Sequence, residues 1–485
     1  MKNKQNLILT LLLICYSFLG LSYSSHQGFW HDEIYTLTFL KGISAYTFKE
    51  STLSTFTQAI PIQYCKNLLQ SDHFITNLKV QILHEGHPPL YFLFLKVWAI
   101  FFGYSEIALR SFSLVSGLLS VVTIYSLFKD NFKQNYIAWI IVLIILFNPF
   151  LFYYFTEARM YSLAFLLAVL VFKYWLKYLT QKKYKSYDYL WFLLASIALL
   201  YTHYYGIFFF FILIFWDVFK FGINIKLFNY IVPLVIFAPW TYVIKTQTHL
   251  HQIHWTDGSY TFLVSLIGYG NALISLFFSP MSNATKIDSI FAIIVSLALI
   301  YFIANTWKWR FIYIGIAFLY FLQIFLFDKV LNHHTIVVSR YLIFILIFFY
   351  WATAKSILNT PLKFSISLTI IYCIVAGINF YHIYTLQLAP KQMFKELAGY
   401  INARHDPINT VIVVEPAGPA IWGLSYYLDS NFYIVSAEYS KTIDPSKRKI
   451  YVDEMLGDTY WEGHLNNKEQ SNLKLVPFVG LFLYE

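Results

Sequence analysis

Long apolar runs separated by short basic connections set the pattern of this chain. Runs near 7–24, 108–128, 135–153, 158–178, 187–202, 205–221, 228–245, 287–305, 311–327, 340–358 and 363–385 read as helices long enough, or nearly so, to cross a membrane. About 20 apolar residues span ~30 Å of hydrocarbon. Two further apolar stretches, 87–102 and 259–278, are ambiguous. The basic residues decide between readings, because Lys and Arg gather in cytoplasmic loops. With both stretches left out, Lys129 and Lys133, the lysines at 177–185, Lys220 and Lys226, Lys308 and Arg310, and Lys355 and Lys363 all fall on the side of Lys2 and Lys4. Counting 87–102 as a crossing sends every later group to the other side. Counting 259–278 misplaces Lys308 and Arg310. Both stretches are therefore expected to lie in, or dip into, the outer interface. The first opens with Pro88-Pro89 and carries Lys96 midway.

The expectation is an all-α polytopic bundle of about eleven transmembrane helices, with its N-terminus in the cytoplasm. Interfacial helices occupy a first external loop at about 25–107, and a second large external loop covers about 246–286. The N-terminal run has the look of a signal peptide. It is read as a retained first span, because so many crossings follow. Residues 1–389 form the membrane domain. From 390 to 485 the pattern changes: "TVIVVEP" and "NFYIVSAEY" read as strands, "PAIWGLSYYLD" as a helix and "LKLVPFVGLFLYE" as a closing strand. This is a small extracytoplasmic α/β domain.

Composition agrees with the pattern. Of 485 residues, 58% are hydrophobic and 12% charged, where a soluble domain carries about 25% charge. The net charge of +10 belongs to the cytoplasmic loops and does not indicate nucleic acid. Cys15, Cys65 and Cys373 outline no disulfide framework, and no Walker loop or GxGxxG is present.

Ionisable residues near a membrane are costly and point to function. Here they share one depth. Asp32 and Glu33 follow the first span. His87 opens the 87–102 helix. Arg110 begins the second span. Glu157 and Arg159 lie between the third and fourth, and His203 between the fifth and sixth. His333, His334 and Arg340 precede the tenth. Taken singly, each has a plainer reading: hydrated loop residues, arginines snorkelling to headgroups, a turn histidine. Taken together, they combine carboxylates that accept a proton with cations and imidazoles that hold phosphate. Arginine's planar fork suits phosphate oxygens. His249, His251 and His254 could suggest a metal site, but no helical spacing aligns all three.

The stretches "FWHDEIYTL", "HPPLYFLFLKVWAIFFGYSEIALRSFSLVSGLLSVVTIYSLF", "EARMYSLAFLLA" and "SRYLIFILIFF" resemble the GT-C superfamily of polyprenyl-phosphate-dependent membrane glycosyltransferases. The nearest likeness is to the bacterial branch related to protein O-mannosyltransferases and lipid A aminoarabinose transferases. The resemblance covers the first three quarters of the chain and implies a GT-C-like bundle. It aligns Asp32 with the family's catalytic acid and Glu33 with its acidic neighbour. His87, where some relatives carry Lys, together with Arg110, Glu157, Arg159, His203 and Arg340, falls on the substrate-binding side.

The function expected from all of this is transfer of a sugar, hexosyl or pentosyl, from a polyprenyl-phosphate donor to an acceptor hydroxyl. The acceptor is a lipid, a glycan or a protein. The reaction would occur on the extracytoplasmic face of the plasma (inner) membrane, by one inverting displacement. No cofactor is required; a divalent metal near the carboxylates is compatible with the pattern without being demanded by it. Two competing functions fit less well. A lipid or glycan transporter or flippase should carry its charges at mid-membrane. An oligosaccharide ligase or polymerase, using a diphosphate lipid, should need a larger cationic cluster.

Overall fold

The computed structural model describes residues 2–43, 59–180, 186–223, 227–250, 261–278, 310–331, 334–385, 393–415, 419–436, 443–444, 446–454, 475–478 and 481–484. The 287–305 run, His333, His251 and His254 lie outside them, and so does the side chain of His249.

Among the described residues the apolar runs become helices. The first is α1 (Lys2–His26), followed by the short α2 (His31–Lys41), α3 (Ile62–Gln70), α4 (Phe74–His84) and α5 (Leu90–Phe102). The bundle continues with α6 (Glu106–Asn131), α7 (Asn135–Leu146), α8 (Pro149–Phe155), α9 (Tyr161–Thr180), α10 (Ser186–Leu200) and α11 (Gly206–Phe221). Then come α12 (Phe228–Phe237), α13 (Trp240–Leu250), α14 (Phe262–Phe278), α15 (Arg310–Leu331), α16 (Leu346–Leu358) and α17 (Leu362–Tyr384). A 3-10 turn at Ser339–Ile345 runs directly into α16.

Eleven crossings are not what helix length and composition alone return. Among the described residues five helices pass that test, or seven if each of two bent pairs counts as one span. The bends have a covalent cause. Pro149 begins α8 after a 67° break from α7, and Pro239 lies in the 50° break between α12 and α13. Proline donates no N–H and clashes with the preceding turn. At 13 residues, α5 is too short to cross the hydrocarbon alone. Leu7, Leu11 and Phe18 on α1, and Ile370 and Ile374 on α17, lie uncovered, as surfaces facing lipid do.

In the C-terminal segment the strands at 410–415 and 433–436 and the helix at 419–427 form where the sequence pattern suggests, the closing run divides into two strands, and the helix at 394–404 and the strand at 448–454 were not expected. Helix α18 (Phe394–Arg404) leads to β2 (Thr410–Glu415). Helix α19 (Pro419–Tyr427) then leads to β3 (Tyr433–Ser436), followed by β4 (Arg448–Glu454), β5 (Leu475–Phe478) and β6 (Leu481–Tyr484). The sheet order is β1-β3-β2-β4-β6-β5. Strands β3, β2 and β4 are parallel, and the outer pairings are antiparallel. The edge strand β1 is Ile60–Pro61, contributed by the first loop. Ile62 and Gln63 extend the join by donating backbone hydrogen bonds to Phe432 and Ser430. One hydrophobic core runs from Leu9 in α1 to Leu483 in β6, so the segment after 390 packs as a continuation of the bundle.

Candidate active site

The site begins with α2. Trp30 precedes it in extended conformation, and the Glu33 carboxylate reaches back to accept the Trp30 N–H at 3.4 Å, which supplies one half of a capping box. At the other end Gly42 adopts φ 72°, and a Cβ there would sit 2.2 Å from the His73 carbonyl carbon. Only glycine satisfies both demands. Asp32 and Glu33 thus occupy the first turn, where free N–H groups favour negative charge. Lys96 of α5 anchors the last turn, donating to the Leu40 carbonyl (2.8 Å), Asp72 (2.6 Å) and the Tyr104 hydroxyl (2.8 Å).

The two adjacent carboxylates have opposite surroundings. Glu33 is completely buried. It accepts from Arg110 Nε (2.8 Å) and Nη2 (2.5 Å) and from the Ala158 N–H (2.8 Å). Arg110 also donates to the carbonyls of Ser24, Gln27 and Gly28 at 2.7–2.8 Å. All five of its N–H groups are thereby used within the protein. The pair ties the end of α1, the start of α2, α6 and the 156–160 loop together.

Asp32 keeps 18% of its side chain open, and its Oδ2 lies 3.3 Å from Arg340 Nη1. Burial pushes the Asp32 carboxyl up, but Arg340, and then Arg159, outweigh it and hold it below the usual carboxylate range. Arg159 Nη1 donates to the Asp32 carbonyl and the Thr36 hydroxyl, both at 3.2 Å. Its Nη2 lies 3.5 Å from His87 Nδ1 and 4.0 Å from Glu85 Oε1. Burial disfavours the charge on Arg159, yet the carboxylates of Asp32 and Glu85 more than restore it. Its Nε–H is buried with no hydrogen-bond partner among the described residues. His87 Nδ1 is 2.9 Å from Glu85 Oε1; burial pulls the ring's pKa down despite that neighbour.

His203 completes the cluster from the turn between α10 and α11. The Tyr201 carbonyl accepts from the Leu90 N–H (3.0 Å), which fastens this turn to the start of α5. The ring lies 5.9 Å from that of His87 and 5.6 Å from that of Tyr161, centroid to centroid. Its Nδ1 accepts the Tyr205 N–H at 3.1 Å. Burial, reinforced by His87 and the two arginines, holds the ring well below the ordinary histidine pKa, so it is neutral. A neutral ring that accepts at Nδ1 carries its proton on Nε2. That Nε2–H is buried and has no partner among the described residues.

The eight residues singled out from the sequence divide accordingly. Asp32, His87, Arg159, His203 and Arg340 form one connected group. Glu33 and Arg110 form the frame behind it. Glu157 is wholly buried between α8 and α9, its carbonyl accepting the Arg159 N–H at 2.7 Å. Glu85 was missed, although it stands two residues before His87 in "HEGHPPL". Gln247 was missed as well. Its amide donates to the carbonyls of Ile82 (2.7 Å) and Glu85 (2.5 Å), and its oxygen accepts from Tyr204 (2.5 Å). No periodicity marks it. Among the described residues no three His, Cys, Asp or Glu side chains are grouped to hold a metal.

Comparison with known proteins points the same way. Residues 86–243 match the family model of dolichyl-phosphate-mannose-protein mannosyltransferases. No curated protein matches the chain. Among solved structures, ArnT from Cupriavidus metallidurans in the apo state superposes with a TM-score of 0.55 at 11% identity, covering 100% of this chain and 98% of that one. The same protein bound to undecaprenyl phosphate superposes with a TM-score of 0.51 at 12% identity, with the same coverage. Over residues 86–243 this chain is therefore similar to the dolichyl-phosphate-mannose-protein mannosyltransferases, and over its full length it shares the fold of ArnT.

Proposed function

We propose that this protein is a membrane glycosyltransferase that moves a sugar from a polyprenyl-phosphate donor to an acceptor hydroxyl at the extracytoplasmic surface. One observation carries the reading. At one end of an apolar bundle, a partly open carboxylate, Asp32, is paired with Arg340 beside two buried nitrogens, Arg159 Nε and His203 Nε2, that have no partner among the described residues. Buried donors are almost always satisfied. Donors left over next to cations fit an anion that arrives with the substrate. A phosphate on a hydrocarbon tail fits best, because the tail can stay in the bilayer while the head reaches the polar end. The ArnT structure with undecaprenyl phosphate and the mannosyltransferase match support the same donor class.

In this mechanism the lipid phosphate binds Arg340, Arg159 and His203. Sharing Arg340 with the phosphate loosens its hold on Asp32, whose basicity rises as the donor binds. Asp32 takes the proton of the acceptor hydroxyl while its oxygen attacks the anomeric carbon. The bond from that carbon to the phosphate oxygen breaks, and the electron pair leaves with the phosphate. A single displacement inverts the anomeric centre. The leaving group needs charge stabilisation rather than a proton, and prepositioned donors of this kind each contribute roughly 3–4 kcal/mol. Glu33 and Arg110 hold the α2 end in place and touch neither substrate. Glu85, which accepts from His87 Nδ1, faces Arg159 and helps to orient it.

The test is reconstitution with extracted polyprenyl-phosphate sugars and candidate lipid, glycan and protein acceptors, with products identified by mass spectrometry. Asp32→Asn should lower transfer by about 10²–10⁴ with unchanged expression and thermal stability. Full activity in that variant would remove Asp32 from the mechanism.

A further inference from the structure

Helix α19 packs against α2 and α3, and two of its tyrosines meet the entry to α2. The Tyr427 hydroxyl accepts the Phe29 N–H at 2.7 Å and donates to Glu106 Oε1 at 2.7 Å. Phe29 is fully buried and leads into α2, and Glu106 opens α6. The neighbouring Tyr426 ring meets Phe29 edge-on at 5.5 Å. Gly28 is pressed against the same surface: a Cβ there would come within 2.7 Å of Lys395 Cβ and 3.1 Å of the Tyr427 hydroxyl. The carbonyl of Gly28 is in turn one of the acceptors of Arg110, whose guanidinium grips Glu33.

We infer that Tyr427 is a positioning residue of the transfer reaction, through which the C-terminal part of the chain holds the Asp32 helix at its working depth. Asp32 sits two residues past a junction, 28–30, that has no side chain of its own at Gly28 to lodge in the bundle. That junction is fixed from inside by Arg110 and from outside by Tyr427. The phenol is suited to the second task because one oxygen both accepts the Phe29 amide and donates to Glu106, so the start of α2 and the start of α6 share a single pin. With the hydroxyl gone, the Phe29 N–H is buried without an acceptor, and the start of α2 keeps its Arg110 tie and its packing but loses its hydrogen bond to α19. A shift of about 1 Å at a reacting group can cost roughly a hundredfold in rate.

The inference rests on the reaction proposed above, and its test separates the two. Tyr427→Phe, Tyr427→Ala and Glu106→Gln are compared with wild type and with Asp32→Asn. Hydrogen–deuterium exchange of the 28–37 segment in detergent needs no substrate. It should quicken about tenfold in Tyr427→Phe, more in Tyr427→Ala and least in Glu106→Gln, which keeps an acceptor for the phenol. Exchange within 107–131 and the melting temperature should stay at wild-type values in Tyr427→Phe. In the transfer assay, with extracted polyprenyl-phosphate sugars as donor, Tyr427→Phe should lower kcat roughly tenfold with KM for the donor within about twofold, and Glu106→Gln should recover most of that loss. Wild-type exchange at 28–37, or wild-type kcat despite faster exchange, overturns the inference. A wild type that transfers no sugar overturns the proposed reaction instead, and the exchange measurement still decides whether Tyr427 holds the helix.

Discussion

Replacing Arg110 with methionine separates a structural arginine from a phosphate-binding one. The side chain is 1% exposed, and its partner Glu33 is 0% exposed. Losing the guanidinium leaves Glu33 with the N–H groups of Ala158 (2.8 Å) and Trp30 (3.4 Å) but no counter-charge. Breaking a buried ion pair from one side costs about 3–5 kcal/mol. The carbonyls of Ser24, Gln27 and Gly28 also lose a donor, each at about 1–3 kcal/mol if nothing replaces it. Even the lower bound is a large fraction of a typical folding stability of about 5–15 kcal/mol. Arg340→Met is the control. That ion pair is only partly buried, with 19% and 18% of the two side chains open, and its loss should cost about 1 kcal/mol. Thermal unfolding in detergent, read by size-exclusion chromatography after heating, should show Arg110→Met several degrees below wild type or failing to accumulate. Arg340→Met should melt near wild type yet lose transfer. An Arg110→Met protein that melts like wild type and has lost only donor binding would refute the assignment and return Arg110 to the phosphate site.

Two further substitutions probe the charged group directly. Arg340 and Arg159 hold the Asp32 carboxyl below its usual range against the opposing effect of burial. Removing a cation in Arg340→Gln must therefore raise it, and the acid limb of the kcat/KM–pH profile should move to higher pH; an unmoved limb would contradict the pairing. His203→Phe removes the Nε2–H while keeping a ring against Tyr161 and Tyr205. It should raise the donor KM about tenfold, the equivalent of one hydrogen bond to a charged acceptor, without lowering the melting temperature, and an unchanged KM would remove His203 from the phosphate site.

Much of this site is legible in the residue pattern. Apart from Glu85, the acids, arginines and histidines that the structure gathers are those that fall at the ends of apolar runs: Asp32, His87, Arg159, His203 and Arg340. The strands at Thr410–Glu415 and Tyr433–Ser436 follow from short continuous runs of β-branched residues. The number of crossings was less legible: five to seven of the described helices are long and apolar enough to cross, α10 and α11 run to only 15 and 16 residues, and the 287–305 run lies outside the described residues.

Alone, the sequence determined which segments are apolar enough to leave water and which ionisable groups are stranded at their ends. Burial depends on composition along a few turns of chain, so both can be read locally. Only the tertiary structure decided that Glu33, one residue from Asp32, is sealed against Arg110 while Asp32 stays open. It alone brought Tyr427, almost 400 residues away, against Phe29. Those choices rest on hydrogen-bond distances near 3 Å, and these exist only once helices from distant parts of the chain have packed.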